Sequence, residues 1–243
     1  MSKKVINQNA NYSSELLNSI ESNFIFDENP IYRLKNTAGN LTKENSTEWA
    51  YKNKELSELK LQINSIENCT LKNNSKKIVL GDGNINSSIM LIGEAPGIAE
   101  DKSGKTFVGE AGELLKKMLI AINIKKENIY STYAVNFRTP EDRKPTAAEI
   151  KKYSQFLQKH ISIIKPKIII LMGSTAMESL TGLNNKISME RGKWKEVIVK
   201  NTTYDIIITF NPSYLLRVPE NKKYSWEDLK KIKQKIVDLQ ISV

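Results

Sequence analysis

Three carboxylates and one aromatic ring lie on a single glycine-punctuated stretch. Glu94, Glu100, Asp101 and Phe107 fall among Gly93, Gly97, Gly104, Gly109 and Gly112, with Pro96 beside them. A second concentration is Asn211-Pro212-Ser213-Tyr214-Leu215-Leu216-Arg217, and a third is the charged, proline-punctuated loop holding Arg138 and Arg143. Carboxylates can orient a water, and an aromatic ring can stack on a flat ligand. A polar turn and arginines can hold phosphate oxygens, and leucines can wedge into a base stack. The set suits a flat aromatic ligand joined to phosphates. Other chemistries are excluded. The chain has no Gly-x-x-x-x-Gly-Lys-Ser/Thr and no Gly-x-Gly-x-x-Gly segment, so a standard nucleotide-phosphate cradle is unsupported. One histidine, His160, rules out sites that need two imidazoles, and one cysteine, Cys69, rules out an intramolecular disulfide and a four-thiolate metal site. His160 lies within a helical pattern, where a packing role is expected.

The elements that must position these groups follow from periodicity. The apolar run Ile89–Ile92 precedes the Glu94–Gly112 loop, and the amphipathic run from about Glu113 to Ile122 follows it. That loop far exceeds the roughly 2–6 residues usual between strand and helix. Asn128–Val135 reads as the second strand. Thr146-Ala-Ala-Glu149 has the capping-box pattern and opens a helix carrying Ile150, Tyr153, Leu157, Ile161 and Ile164 on one face, which Pro166 stops. Lys167–Met172 reads as a strand buried on both faces. Trp194–Val199 and Tyr204–Phe210 read as a hairpin whose second arm is the fourth core strand, and a closing helix runs from about Trp226 to Leu239. A further helix is expected from about Trp49 to Ile66. The alternation predicts an α/β fold, a three-layer α/β/α arrangement with a central, mainly parallel four-stranded sheet. Glu94–Phe107, Tyr133–Arg143, Gly173–Ser174 and Asn211–Arg217 then all follow carboxyl ends of strands and converge on one rim, where ligands bind in such sheets.

Composition narrows the partner. Among 243 residues, Lys plus Arg is 37 and Asp plus Glu is 27, a formal charge of +10. A balance this basic suits a polyanion such as nucleic acid. Residues 1–50 are rich in Asn, Ser, Lys and Glu without sustained periodicity, and are expected to be a disordered or loosely docked extension to a domain over 51–243. No secretory signal pattern and no apolar run of membrane-spanning length is present, so a soluble, cytoplasmic protein, a monomer with no membrane partner, is expected.

Gly93-Glu-Ala-Pro-Gly97, Glu100-Asp101, Gly104, Phe107-Val-Gly109, Ala111-Gly112 and Leu114-Leu115 together resemble the first motif of the family-4 uracil-DNA glycosylases. Phe210-x-Pro-Ser-Tyr-Leu-Leu-Arg217 is similar to the second motif. The resemblance spans about residues 66–239. Cys69-x-Leu-Lys, Gly81-Asp-Gly-Asn84 and Arg191-Gly-x-Trp194 look closest to a branch common in alphaproteobacteria. The resemblance implies base excision in DNA repair: a uracil, or a related damaged base, is flipped out of DNA and its N-glycosidic bond hydrolysed. It places Glu94 and Ala95 beside the attacking water and the backbone amides, and Asn211 at the catalytic position that opens the second motif. It places Phe107, Tyr133, Gly97 and Ser213 against the substrate, with Phe107 stacking on the base. It gives DNA contacts to Leu215, Leu216 and Arg217, joined by Arg138 and Arg143.

Three positions depart from that pattern. The family's iron–sulfur cluster takes four cysteines, and the matching positions here are Ile66, Cys69, Phe137 and Tyr153, so no cofactor is expected and apolar packing replaces the cluster. The family's base-reading asparagine is Tyr133. The histidine opening the second motif is Asn211, a neutral donor, and loss of such a donor typically costs about 2.7–4 kcal/mol of transition-state stabilisation. Two functions therefore stand side by side: an active uracil-DNA glycosylase, and a catalytically weak or inactive relative that binds damaged or single-stranded DNA.

Overall fold

The computed structural model describes residues 41–67 and 69–242. Residues 1–40 of the expected extension lie outside the described residues. Helix α1 runs Leu41–Asn64 and so begins before the expected Trp49. A short α2, Thr70–Asn74, leads to β1, Asp82–Gly83. Then come β2, Ile89–Gly93; α3, Ile98–Ser103; α4, Glu110–Ala121; and β3, Tyr130–Tyr133. Helix α5, Ala147–Ile164, precedes β4, Ile168–Met172, and α6, Ser174–Thr181. The chain closes with α7, Ile187–Glu190; β5, Trp194–Val199; β6, Thr202–Thr209; α8, Pro212–Arg217; and α9, Lys222–Asp238. Ser46–Val243 form one compact unit.

The sheet order is β1-β3-β2-β4-β6-β5. The four expected strands β3, β2, β4 and β6 are mutually parallel and central. The sheet has six strands rather than four because an antiparallel strand is added at each edge. Asp82–Gly83, which no periodicity marks as a strand, bridges Tyr130–Ser131, and β5 pairs with β6 as the arm of the expected hairpin. Edge strands of this kind end the parallel run without long crossovers.

Alternation along the strands sends side chains to two cores. Met90, Ile92, Ile169, Leu171, Ile206 and Ile208 pack with α1, α5 and α6 residues on one face. Ile89, Leu91, Ile168, Ile170 and Ile207 pack with Leu115 and Leu119 of α4 and with Leu229, Ile232 and Ile236 of α9 on the other. Both faces are covered, so β2 as far as Ile92, β4, and Ile206–Ile208 of β6 are unbroken apolar runs, whereas β3 buries Ser131 and Thr132 through hydrogen bonds. Helix α5 starts at the expected capping box: Thr146 accepts from the Glu149 N–H, and the Glu149 carboxylate accepts from the Thr146 N–H. Its His160 is a core residue, 2% exposed, hydrogen-bonded to the Tyr130 hydroxyl at 2.9 Å. Burial lowers its pKa to about 3 and keeps it neutral.

Candidate active site and nucleic-acid groove

The carboxyl ends of the parallel strands open on a groove of about 920 Å³, into which Glu94, Gly173, Ser174, Asn211, Ser213 and Arg217 project. All four rim loops expected from sequence contribute, from β2, β4 and β6 and, through Asp142, from β3. Lys144, Lys186 and Arg191 add positive charge, and Asp142 borders the same groove.

Glu94 follows the last residue of β2. Its carbonyl accepts the Val135 N–H at 3.2 Å, and its carboxylate Oε2 accepts the Thr175 hydroxyl at 2.6 Å. Thr175 is fully buried in the first turn of α6, so this acceptor end is held from below while the other oxygen remains available to the half-buried groove wall. Sequence reasoning stopped at Gly173–Ser174 and missed Thr175. The signal was present: a β-branched hydroxyl residue at a helix start on the same rim.

Across the groove, Asn211 caps α8. Its Oδ1 accepts from the Ser213 N–H at 3.0 Å and from the Ser213 hydroxyl at 2.7 Å. Capping assigns the amide's orientation. The Nδ2 hydrogens have no acceptor among the described residues, and they lie on the groove side next to Gly173. Gly173 sits at φ +102°, and a Cβ there would stand 3.2 Å from that of Asn211. A small left-handed residue is therefore what allows β4 to turn so close to the amide.

The long loop resolves into two kinds of acid. Glu94 faces the groove, while Glu100 and Asp101 are buried and tie backbone together. One Glu100 oxygen accepts from the Val108 and Gly109 N–H groups (2.9 and 3.1 Å), and the other accepts from Gly97 N–H at 3.1 Å. Asp101 Oδ1 accepts from the Lys76 and Lys77 N–H groups. These are fasteners for the helix α3 and for the turn that carries Phe107. Gly97 serves as the N-cap of α3.

Phe107 is 7% exposed and adopts φ +50°, a left-handed conformation that bulky residues avoid. Such strain persists only where surroundings impose it, commonly at functional sites. Here the Phe107 N–H donates to the Tyr133 hydroxyl at 3.0 Å, and the two rings lie 4.9 Å apart at 41°. Both rings press on Gly93, where a Cβ would come within 2.8 Å of each. Tyr133 is 4% exposed, and burial, with the Glu100 charge nearby, pushes its phenol well above its ordinary pKa. The phenol is neutral, and its own hydrogen has no acceptor among the described residues. Phe107 and Tyr133 thus form a buried pair directly behind Gly93, and Ala95 is half-buried against the core on the opposite face of the sheet.

The remaining expected site residues divide. Leu215 is fully buried in the core below α8, whereas Leu216 is 38% exposed and Arg217 is exposed on the rim. Arg138 forms a two-pronged pair with Asp142 at 2.7 and 2.9 Å. Arg143 does the same with Glu149 at 2.7 and 2.8 Å, and this pair holds the Glu149 carboxyl down at a pKa of about 2. Both guanidiniums therefore have much of their charge offset by neighbouring carboxylates, and Lys144 is the cation of that loop that opens onto the groove, beside Asp142.

The four positions matching cluster ligands hold one thiol. Cys69 is buried with its Sγ 3.2 Å from the Tyr153 hydroxyl, and the Tyr153 and Phe137 rings meet edge to face at 6.3 Å. Ile66 packs on the same core. Among the described residues no group of three or more His, Cys, Asp or Glu could hold a metal ion. These side chains do not fit a four-thiolate cluster, and the space is filled by two rings, a thiol and an isoleucine.

Comparison with known proteins covers this same region. A profile described as the uracil DNA glycosylase superfamily matches residues 80–232. The type-4 uracil-DNA glycosylase of Thermotoga maritima is 37% identical over 68% of this chain and 86% of its own length. The type-4 enzymes of Archaeoglobus fulgidus and Pyrobaculum aerophilum are 33% and 30% identical, over 73% and 72% of this chain and 91% of each relative. The matched span contains every groove-lining strand end, and on this ground the chain belongs to the uracil DNA glycosylase superfamily, in which it is type-4-like.

Proposed function

We propose that this protein is a DNA glycosylase of base excision repair that hydrolyses the N-glycosidic bond of uracil, or of a related damaged base, flipped out of DNA. The observation that carries the reading is the opposition of Glu94 and Asn211 across one groove. A carboxylate held by Thr175 stands on one side, and an amide with both donors free stands on the other.

Bond cleavage leaves positive charge on the sugar and negative charge on the departing base. Asn211 Nδ2–H donates to a base carbonyl oxygen and stabilises the leaving anion, as donors aimed at developing charge do. Glu94 orients a water on the opposite face of the sugar and offsets the oxocarbenium charge. Water oxygen then bonds to C1′, the base leaves with the bonding pair and takes up a proton, and an abasic deoxyribose remains. Ala95 contributes backbone only, since its side chain has no carboxylate. Tyr133 replaces an amide with a phenol whose free hydrogen can reach one carbonyl at the base edge. Phe107 supplies the stacking surface and Gly97 the turn at the pocket mouth. Ser213 and Arg217 take the flanking phosphates, aided by Lys144, Arg138 and Arg143, and Leu216 fills the vacated stack while Leu215 anchors it from the core. The reaction uses no cluster, the monomer is the working unit, and DNA is the partner.

A second reading has one specific observation behind it. Tyr133 lies 4.9 Å from the ring expected to receive the base, and both rings are buried. A protein so built could bind damaged or single-stranded DNA without excising a base. Incubation with single- and double-stranded uracil oligonucleotides, followed by alkaline cleavage of abasic sites, separates the two. Product above background supports excision. Retained binding with no product at stoichiometric protein refutes it, and recovery of product in Tyr133→Asn combined with Asn211→His would assign the loss to those two positions.

A further inference from the structure

The groove carries a second aromatic feature, away from Phe107 and Tyr133. Phe210 and Tyr214 stack with centroids 5.1 Å apart at 26°. The Arg191 guanidinium lies 5.7 Å from the Phe210 centroid and 5.3 Å from that of Tyr224. Tyr214, Phe210, Arg191 and Tyr224 thus form one continuous row that borders the groove.

This row is fastened from beneath. Arg191 donates to both oxygens of Asp228, at 3.0 and 2.5 Å, and to the Tyr224 carbonyl. Asp228 is fully buried and also accepts the Thr209 hydroxyl at 2.8 Å, which joins the row to the end of β6. Gly192, at φ +67°, lets the backbone pass against that carboxylate. At its open end the row presents Tyr224, 43% exposed. Helix α9 does not need this ring for packing, because Leu229, Ile232 and Ile236 supply its buried face. Lys223 Nζ stands 5.0 Å from the same ring, and Lys222 is exposed beside it. A flat ring with one face pinned by a buried ion pair, surrounded by solvated ammonium groups, is how surfaces that bind unpaired strands are built. Inside a duplex a base has no free face to offer such a ring.

We propose that Tyr224 is a second stacking seat, which receives an unpaired base near the flipped nucleotide and biases this protein towards single-stranded DNA. Lys223 moves from the ring face to a phosphate when the base arrives. The proposal rests on the groove being the path of DNA, as under the proposed function.

The test uses binding to DNA without uracil. Fluorescence anisotropy measures affinity for a labelled oligothymidine and for a blunt hairpin duplex with wild type, Tyr224→Ala and Tyr224→Trp, each checked for folding by thermal melting. Tyr224→Ala should weaken single-strand binding by about 5- to 150-fold, the range that loss of one stacked base gives. Tyr224→Trp should retain it, and duplex affinity should not change. Equal weakening on both DNAs, or none on the single strand, overturns the proposal. A salt series adds an independent reading. Stacking releases no counterions, so Tyr224→Ala should keep the wild-type slope, whereas Lys223→Ala should lower it by about 0.7. A reduced slope in Tyr224→Ala overturns the seat. Excision from a uracil-bearing duplex is measured separately. No excision with the stacking result intact refutes the glycosylase reading alone, and normal excision with unaltered single-strand affinity refutes the seat alone.

Discussion

Removal of one oxygen, in Tyr133→Phe, tests how the Phe107 ring, proposed to stack on the base, is held. The Tyr133 hydroxyl accepts the Phe107 N–H at 3.0 Å, and both residues are under a tenth exposed. Phenylalanine keeps the ring contact at 4.9 Å and leaves that N–H buried without a partner. An unsatisfied buried donor costs about 1–3 kcal/mol. The left-handed Phe107 conformation limits how far the loop can relax, because its neighbours Val108 and Gly109 stay fastened to Glu100. Relief by water is also restricted, since Gly93 and Gly112 pack directly against the residue. The expected loss is therefore about 1–3 kcal/mol, or roughly 2–12 °C in melting temperature at the 2–4 °C per kcal/mol usual for a domain of this size. Urea unfolding followed by circular dichroism should show a lower midpoint with an unchanged slope. Excision should also fall, because the ring loses its tether. A midpoint equal to wild type, with activity retained, would show that the phenol does not anchor Phe107 and would remove the argument for strain at the pocket.

Thr175→Val removes the hydroxyl from Glu94 Oε2 and should lower kcat about 10- to 100-fold with little change in KM, as loss of a hydrogen bond to a charged group implies, while Thr175→Ser keeps the rate. Unchanged kcat in the valine variant would remove Thr175 from the site. Burial keeps His160 neutral with a pKa of about 3, below its unfolded value of 6.5, so unfolding takes up a proton between those values. Stability is full above pH 6.5 and falls as pH drops towards 3, and His160→Phe should flatten that part of a melting-temperature profile. Glu149, held at about 2 by Arg143, gives stability that is full above its ordinary value of 4.5 and is lost as pH falls through 2, and Glu149→Gln should abolish that acid limb. Arg191→Met strands the buried Asp228 carboxylate and should destabilise by about 3–5 kcal/mol in denaturant unfolding, far more than a surface ion pair.

Much of the fold is legible in the sequence for a plain reason. Strands buried on both faces favour unbroken apolar runs, and Ile89–Ile92, Ile168–Met172 and Ile206–Ile208 show it. The Thr146–Glu149 capping box marks the start of α5, and the proline and glycines of the 94–112 stretch mark a loop too long to be a connection. Local chemistry suffices there, because the information lies within a few residues. Family membership is legible too, in the spacing of the Glu94–Gly112 and Phe210–Arg217 segments. The edge strand Asp82–Gly83 is not, because two residues carry no period and only the partner at Tyr130–Ser131 makes them a strand. The roles of the acids are likewise undecided locally. Glu94, Glu100 and Asp101 have the same chemistry in sequence, and only the backbone N–H groups brought to two of them separate fasteners from the groove carboxylate. Leu215 and Leu216 are neighbours of one type, and the turn of α8 alone sends one to the core and the other to solvent. The pairs Thr175–Glu94, Phe107–Tyr133 and Arg191–Asp228 join residues far apart along the chain, so no window of sequence contains them. The sequence by itself determined the parallel core of the sheet, the rim and the family; tertiary structure decided the edge of the sheet and which side chains on that rim are fasteners, which are buried and which face the groove, because those placements depend on contacts that exist only once the strands are side by side.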